Sequence, residues 1–399
     1  MSQRAGLRAT SSASPSVAAA GIGAARPAAR SVPRSARPAA RPPRASAEGA
    51  SSEHRLDLPS RPRRNRRSPT IRGAIRETFV TPSNLILPIF IHAAPEDVPV
   101  SAMPGVTRRG PAGVIEEVGD AVREGVKQFV FFPAVDESLK TRDGKEASNP
   151  DGLVQRTLRA LRERYPDVEL YTDVALDPYS SDGHDGIVRD DGVIDNDATV
   201  ACLIEQALSH ARAGADVISP SDMMDGRVGA IREALDAEGF TEVSIMSYAA
   251  KYASCFYGPF REALGSAPKV AASGPGARKV PAHKRTYQQD PANVREAIRE
   301  ALLDEAEGAD ALLVKPGLPY LDVIRALRER TELPLACYQV SGEYAMLAAA
   351  IERGMLDEKA AILETITCLR RAGCDYIMTY FATKAARLLQ EQGVVGDHW

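Results

Sequence analysis

Residues 308–342 read GADALLVKPGLPYLDVIRALRERTELPLACYQVSG. A short apolar run, ALLVKPG, gives way to a helical pattern, YLDVIRALRERT, and then to a second apolar run, PLACYQVS. A run that is apolar on both faces suits a strand buried on both sides, as strands of a parallel sheet are. Strand, helix, strand in that order is the unit from which parallel α/β folds are built.

The same alternation extends in both directions. Further apolar or β-branched runs are LILPIFI (85–91), QFVFFPAV (128–135), VELYTDVAL (168–176), ADVISPS (215–221), VSIMSYA (243–249) and YIMTYFA (376–382), which makes eight candidate strands. Helical patterns lie between them, including GVIEEVGDAVREGV, ATVACLIEQALSHARAGA, PANVREAIREALLDEAEGA and KAAILETITCLRRAGC. Several end in Ala-Gly or Gly-Ala just before the next strand, the expected C-terminal glycine signal. Eight strand–helix units in series predict an α/β fold of the (β/α)8 barrel type over residues 83–399. A doubly wound open sheet is disfavoured because no GxGxxG opens a βα turn.

Composition sets the surroundings of this barrel. The chain has 399 residues, 44% of them hydrophobic, enough for a large core. No stretch approaches the ~20 apolar residues of a membrane span. Five cysteines, an odd number without a CxxC pair, suggest neither a disulfide framework nor a thiolate zinc site, and fit a reducing compartment. The net charge of −3 hides a split: residues 1–50 hold eight arginines and one acid, +7, which leaves −10 for the rest. This Arg-, Ser-, Ala- and Pro-rich segment has no continuous apolar h-region and reads as an organelle transit peptide. It lacks the aromatic interleaving expected of a single-strand nucleic-acid tail, so no nucleic-acid partner is expected. Residues 51–82, with RPRRNRRSPTIRGAIRETFV at 61–80, read as an extended N-terminal arm without a core of its own. Within the barrel, the Gly-, Pro- and base-rich insertion at 266–291 reads either as a mobile lid or as a plain solvated loop.

In such a barrel, active groups project from the C-terminal strand ends. Those ends carry Asp173, Asp177, Asp222, Lys251, Lys315, Ser341 and Tyr380. Lys251 and Lys315 fall on adjacent strands, ~4.8 Å apart in such a sheet. Apolar flanks and a neighbouring like charge both make a lysine release its proton more easily. A neutral lysine amine attacks carbonyls and forms Schiff bases, and two in one pocket would suit an enzyme that joins two carbonyl substrates. The run DVALDPYSSDGHDGIVRDDGVIDND (173–197) is unusually acidic. Its oxygens suit a hard cation such as Mg²⁺, although Asp and Gly are also ordinary turn residues and no EF-hand pattern is present.

Four stretches, GADALLVKPGLPY, SYAAKYASCFYGPFREALGSA, PSDMMDGRVGAIREAL and YQVSGEYAM, closely resemble the porphobilinogen synthase (5-aminolevulinic acid dehydratase) family, over roughly residues 60–395. The resemblance implies asymmetric condensation of two 5-aminolevulinates to porphobilinogen with loss of two waters, on the path to haem and chlorophyll. By motif position, Lys315 would form the Schiff base with the substrate supplying the propionate side, and Lys251 with the second. Arg261 and Lys284 would hold one substrate carboxylate, with Lys279 and Arg285 as alternatives to Lys284. Ser341 and Tyr380 would hold the other. Zinc-dependent members carry three cysteines where this chain has Ala175, Asp177 and Asp185. It therefore resembles the aspartate-rich, magnesium-dependent version of plants, algae and some bacteria. Asp177 and Asp185 would bind active-site Mg²⁺ directly or through water, and Glu300 an allosteric Mg²⁺. The family implies a homo-octamer in which the arm embraces a neighbouring barrel. The leader and the plant-like metal pattern imply a plastid, with a mitochondrion less favoured. The alternatives are a class I aldolase-type barrel lyase, which needs one lysine, and a non-catalytic assembly barrel.

Overall fold

The eight apolar runs form eight parallel strands: β1 Leu85–His92, β2 Gln128–Ala134, β3 Glu169–Val174, β4 Val217–Pro220, β5 Ser244–Lys251, β6 Ala311–Lys315, β7 Leu335–Gln339 and β8 Tyr376–Thr379. The computed structural model describes residues 58–269 and 278–392. The expected transit segment, 1–50, and the middle of the inserted loop, 270–277, lie outside the described residues. Each strand pairs with the next in sequence, and β8 returns to β1 through Leu85↔Ile377 and Ile86↔Met378. The result is a closed cylinder with no free edge, as the strand count predicts.

The strands read as continuous apolar runs because both faces are covered. Leu312, Leu313 and Val314 of β6 are all buried, as are Phe129 to Phe132 of β2. The outer layer comprises the helices Pro111–Arg123, Leu153–Arg164, Asn196–Arg212, Arg227–Ala237, Arg295–Ala306, Leu321–Arg328, Ser341–Glu352, Glu358–Ala372 and Ala382–Gln392. Asp195 and Asp357 cap two of them by accepting from the Ala198 and Ala360 amides. Gly214 and Gly308, the glycines flagged by sequence, sit at φ 102° and 101° after their helices, where a side chain would be strained.

The arm differs from expectation. It is not extended throughout: Pro62–Arg66 is a 3-10 turn and Pro69–Ala74 a short helix. Ser68 accepts from the Ile71 amide at 3.3 Å, and Pro69 occupies the first helical position, so the local cap chemistry outweighs the missing apolar period. None of these residues is buried.

At the C-terminal mouth of the barrel the interior is aromatic. Phe90, Phe132, Phe260, Tyr338 and Tyr380 pack with centroid separations of 5.0–6.2 Å. This layer is the floor on which the polar residues of the mouth stand. No helix among the described residues is long and apolar enough to cross a membrane.

Candidate active site

The register of β5 and β6 brings Lys251 and Lys315 directly opposite each other as partners in the ladder. Both are buried. Their surroundings differ.

The Lys315 Nζ lies among four rings, 4.8 Å from the Tyr338 centroid, 4.9 Å from Phe260 and 5.3 Å from both Tyr248 and Tyr257. Desolvation, followed by the Lys251 charge, pushes its ammonium down to about 7 from an ordinary 10.5. Asp173, which lines the same cavity, moves the other way: burial raises it to about 6 although both lysines favour its ionised form.

Lys251, in contrast, is ion-paired. Its Nζ donates to Asp185 Oδ1 at 2.7 Å and to the Ser221 carbonyl. That carbonyl is held by a turn in which Asp222 Oδ1 accepts from the Met224 amide at 2.7 Å, and Met223 adopts φ 70°. Asp222 thus shapes the turn.

Asp185 is the hub of the polar half. Lys284 reaches its Oδ2 at 2.7 Å and Asp177 Oδ2 at 3.0 Å. The Tyr287 hydroxyl is 2.9 Å from the same Asp185 oxygen and 2.9 Å from His184 Nδ1. Burial opposes ionisation of Asp185, yet the Lys251 and Lys284 charges outweigh it and hold the carboxyl far below the usual range. Lys284 is pushed up by Asp177 and Asp185 against its own desolvation. Of the three bases left open by sequence, Lys284 is buried in the site while Lys279 and Arg285 are exposed.

The inserted loop leans on the acidic run rather than standing free. Arg278 donates to both Asp182 oxygens, at 2.6 and 2.5 Å, and Lys269 donates its amide to the Asp182 carbonyl. Arg261 lines the cavity with its guanidinium 5.8 Å from the Tyr257 centroid. Ser341 is turned to the backbone: its hydroxyl accepts from the Phe260 amide at 3.1 Å and donates to the Phe256 carbonyl at 3.3 Å. The Tyr380 hydroxyl sits 2.7 Å from that of Tyr338. The cavity between Asp173, Asp177, Lys251, Arg261, Lys284 and Lys315 holds about 20 Å³, room for roughly one water.

In this structure bases engage the two aspartates read as metal ligands. Asp185 gives both oxygens to Lys251, Lys284 and Tyr287, and Asp177 gives Oδ2 to Lys284. Two ammoniums beside Asp185 would repel a divalent cation, so Mg²⁺ would bind there only by displacing Lys251 or Lys284. Among the described residues, no three His, Cys, Asp or Glu side chains gather as a ligand set. Glu300 stands apart on the helix Arg295–Ala306. Sequence reasoning missed the aromatic cage of Lys315 and the Tyr287–His184 support of Asp185. Tyr248, at the end of a strand run, carried a legible signal; the other contacts join distant segments.

The structure is a closed (β/α)8 barrel with two buried lysines in register at adjacent strand ends. The delta-aminolevulinic acid dehydratase family profile matches residues 59–388. The chain is 62% identical over 335 residues to the chloroplastic delta-aminolevulinic acid dehydratase of Chlamydomonas reinhardtii, covering 84% of this chain and 85% of that one. It is 60% identical over 343 residues to the chloroplastic enzyme of Oryza sativa subsp. japonica, covering 86% and 78%. The Toxoplasma gondii ME49 enzyme, solved with its product porphobilinogen, superposes with a TM-score of 0.81 at 52% identity, over 85% of this chain and 94% of that one. The chain belongs to the delta-aminolevulinic acid dehydratase family. It is a chloroplast hydro-lyase of tetrapyrrole biosynthesis.

Proposed function

We propose that the chain condenses two 5-aminolevulinates through Schiff bases on Lys315 and Lys251. The observation that carries this reading is the buried, ring-enclosed Lys315 amine placed in register with Lys251. Near neutral pH a large share of Lys315 is the free amine, which adds to a ketone and expels water as the imine forms. Lys251, now paired as an ammonium with Asp185, first passes its proton to a carboxylate of the site. It then adds to the second substrate in the same way, so two waters leave. A protonated imine withdraws electrons, an adjacent proton departs, and the enamine attacks the other imine carbon. Asp173, near neutrality and buried beside both lysines, suits the proton transfers. Ring closure forms the C–N bond, both lysines are released, and loss of protons makes the pyrrole aromatic.

Arg261 and Lys284 hold one substrate carboxylate. In this arrangement the incoming carboxylate replaces Asp177 or Asp185 as the Lys284 partner, a charge-assisted exchange. Ser341 and Tyr380 hold the other, exchanging the bonds they now make to Phe256, Phe260 and Tyr338. Borohydride trapping with 5-aminolevulinate, followed by peptide mass mapping, tests the assignment. Adducts on Lys315 and Lys251 are expected; a folded, active protein with neither adduct overturns it.

Glu300 is the proposed allosteric magnesium position, and Asp177 and Asp185 would take active-site Mg²⁺ on release of Lys251 or Lys284. The Glu300 carboxyl is half-buried and pushed up by that burial and by Asp304 and Asp225, so a divalent cation there would relieve repulsion. Residues 51–82 act as the arm of a homo-octamer: Ile75 and Phe79 leave 54% and 52% of their surface exposed and need a partner. Light scattering on protein lacking this arm should show a smaller assembly, and an intact octamer would refute the role. Residues 1–50 are the transit peptide, to be checked by import into isolated chloroplasts and sequencing of the processed N-terminus.

A further inference from the structure

The helix Ser341–Glu352 starts where β7 ends, and its first three residues touch two different turns. Ser341 binds the Phe256 carbonyl and the Phe260 amide. Gly342 permits the close approach, since a Cβ there would lie 2.6 Å from the Phe256 oxygen. Glu343 is fully buried. Its Oε2 accepts from the Val340 amide at 2.8 Å, which is the ordinary reach of a glutamate at the third helical position back to the cap.

Two more bonds exceed a cap. Oε2 also accepts from the Gly317 amide at 3.1 Å, and Oε1 from the Leu318 amide at 2.6 Å. These amides belong to the turn directly after Lys315. That turn has little room to settle elsewhere, because a Cβ on Gly317 would lie 3.0 Å from Leu369 and 3.2 Å from the Tyr338 oxygen. Tyr257 adds a bond from its hydroxyl to the Lys315 carbonyl at 3.2 Å. Thus one helix start fixes both the 256–260 turn, which supplies two rings of the cage, and the 317–318 turn, which fixes the lysine backbone. A glutamine would cap Val340 equally well, so the cap alone does not require a buried carboxylate.

We propose that Glu343 is a positioning residue for Lys315: by gathering the Val340, Gly317 and Leu318 amides it locks the backbone after the lysine and holds Nζ inside the ring of Tyr248, Tyr257, Phe260 and Tyr338. This rests on Lys315 being the lysine that captures the substrate carbonyl. Burial pushes the Glu343 carboxyl up to about 7 while the three amides favour its ionised form. Glu343→Asp keeps a carboxyl and the short reach to Val340 but falls one methylene short of Gly317 and Leu318. Glu343→Gln keeps the length and loses one acceptor.

The experiment is borohydride trapping with 5-aminolevulinate on the full chain, quantified at Lys315 across pH, beside steady-state kinetics and thermal melts. Glu343→Asp should lower kcat and the Lys315 adduct rate together by ~100-fold, with KM within a few-fold, since a misplacement near 1 Å costs about that much. Its trapping midpoint should move up from about 7 towards the ordinary lysine range as the cage loosens. Glu343→Gln should recover part of the rate. A Glu343→Asp protein that melts earlier but traps at the wild-type rate and pH midpoint reduces Glu343 to a cap and overturns the proposal. If Glu343→Asp does not fold, Glu343→Gln at the wild-type adduct rate overturns it equally. Absence of any Lys315 adduct in the unmutated protein instead defeats the Schiff-base reading itself, and this proposal with it.

Discussion

Lys315 and Lys251 share a residue type and a ladder position, and the chain treats them oppositely. Lys251 is given a carboxylate and a carbonyl; Lys315 is given four rings. Burial and the Lys251 charge outweigh the nearby aspartates and lower the Lys315 value to about 7, whereas in the unfolded chain it returns to 10.5. Between those two values the unfolded state binds more protons, so this group's contribution to stability rises with pH across that window. The destabilisation is complete below pH ~7 and gone above ~10.5. Lys315→Met, which fills the same space without a charge, should abolish turnover and Lys315 trapping yet stabilise the fold at pH 7 by about 2–4 kcal/mol. Denaturant unfolding at pH 7 and pH 10 checks this, and the gain must shrink at the higher pH. In the unmutated enzyme, kcat/KM should climb through a midpoint near pH 7 as the free amine appears. A profile flat from pH 5.5 to 8.5 would contradict the assignment of Lys315 as the nucleophile.

Elements of the barrel are joined behind the site by one buried guanidinium. Arg227, first residue of the helix Arg227–Ala237, donates to Asp304 on the helix Arg295–Ala306 at 3.2 and 3.3 Å and to Ser247 of β5 at 3.2 Å. Ser247 in turn donates to Asp304 at 2.5 Å. Removing one partner of a buried pair leaves an uncompensated charge. Asp222 Oδ2 lies 3.5 Å from Arg227 Nε and still faces it when Asp304 is removed. Asp304→Ala should therefore cost about 1–3 kcal/mol by urea unfolding, while Arg227→Leu, which strands both buried aspartates, should cost about 3–5 kcal/mol. Such pairs were illegible in the sequence, because Arg227 and Asp304 are 77 positions apart and meet only once the barrel closes. The strands themselves were legible: burial on both faces writes a continuous apolar run such as LILPIFI, and glycine marks where helices must stop. The lysine positions followed from strand ends alone. The partners of Asp185 did not, since a carboxylate in an acidic run looks the same whether it awaits a metal or two ammoniums that arrive from 66 and about 100 residues downstream. The arm's short helix was missed for the opposite reason: a local Ser-Pro cap organised it without any apolar face to announce it.

At the scale of the whole molecule the question is where a divalent cation acts, given that the catalytic mouth already balances its charges internally. Asp177 and Asp185 are matched there by Lys251 and Lys284, so a cation added at the mouth would have to displace an ammonium first. On the outer helix layer burial, Asp304 and Asp225 oppose ionisation of Glu300 while Arg227 favours it, and Asp304 itself is held by Arg227 and Ser247. A cation bound there would touch the reaction only through the scaffold, since Asp304 on the same helix bonds Arg227 and Ser247, and Ser247 belongs to the strand that ends in Lys251. Removal of divalent ions with EDTA should then lower the rate without abolishing Lys315 trapping, and Mg²⁺ should restore it. Glu300→Ala should keep a basal rate that no longer responds to Mg²⁺. The measurement is kcat against free Mg²⁺ for both proteins, with trapping run in parallel. An unchanged Mg²⁺ response in Glu300→Ala would remove the metal from this helix. Loss of Lys315 trapping on EDTA treatment would return the metal to the mouth, where it would have to compete with Lys284 for the aspartates.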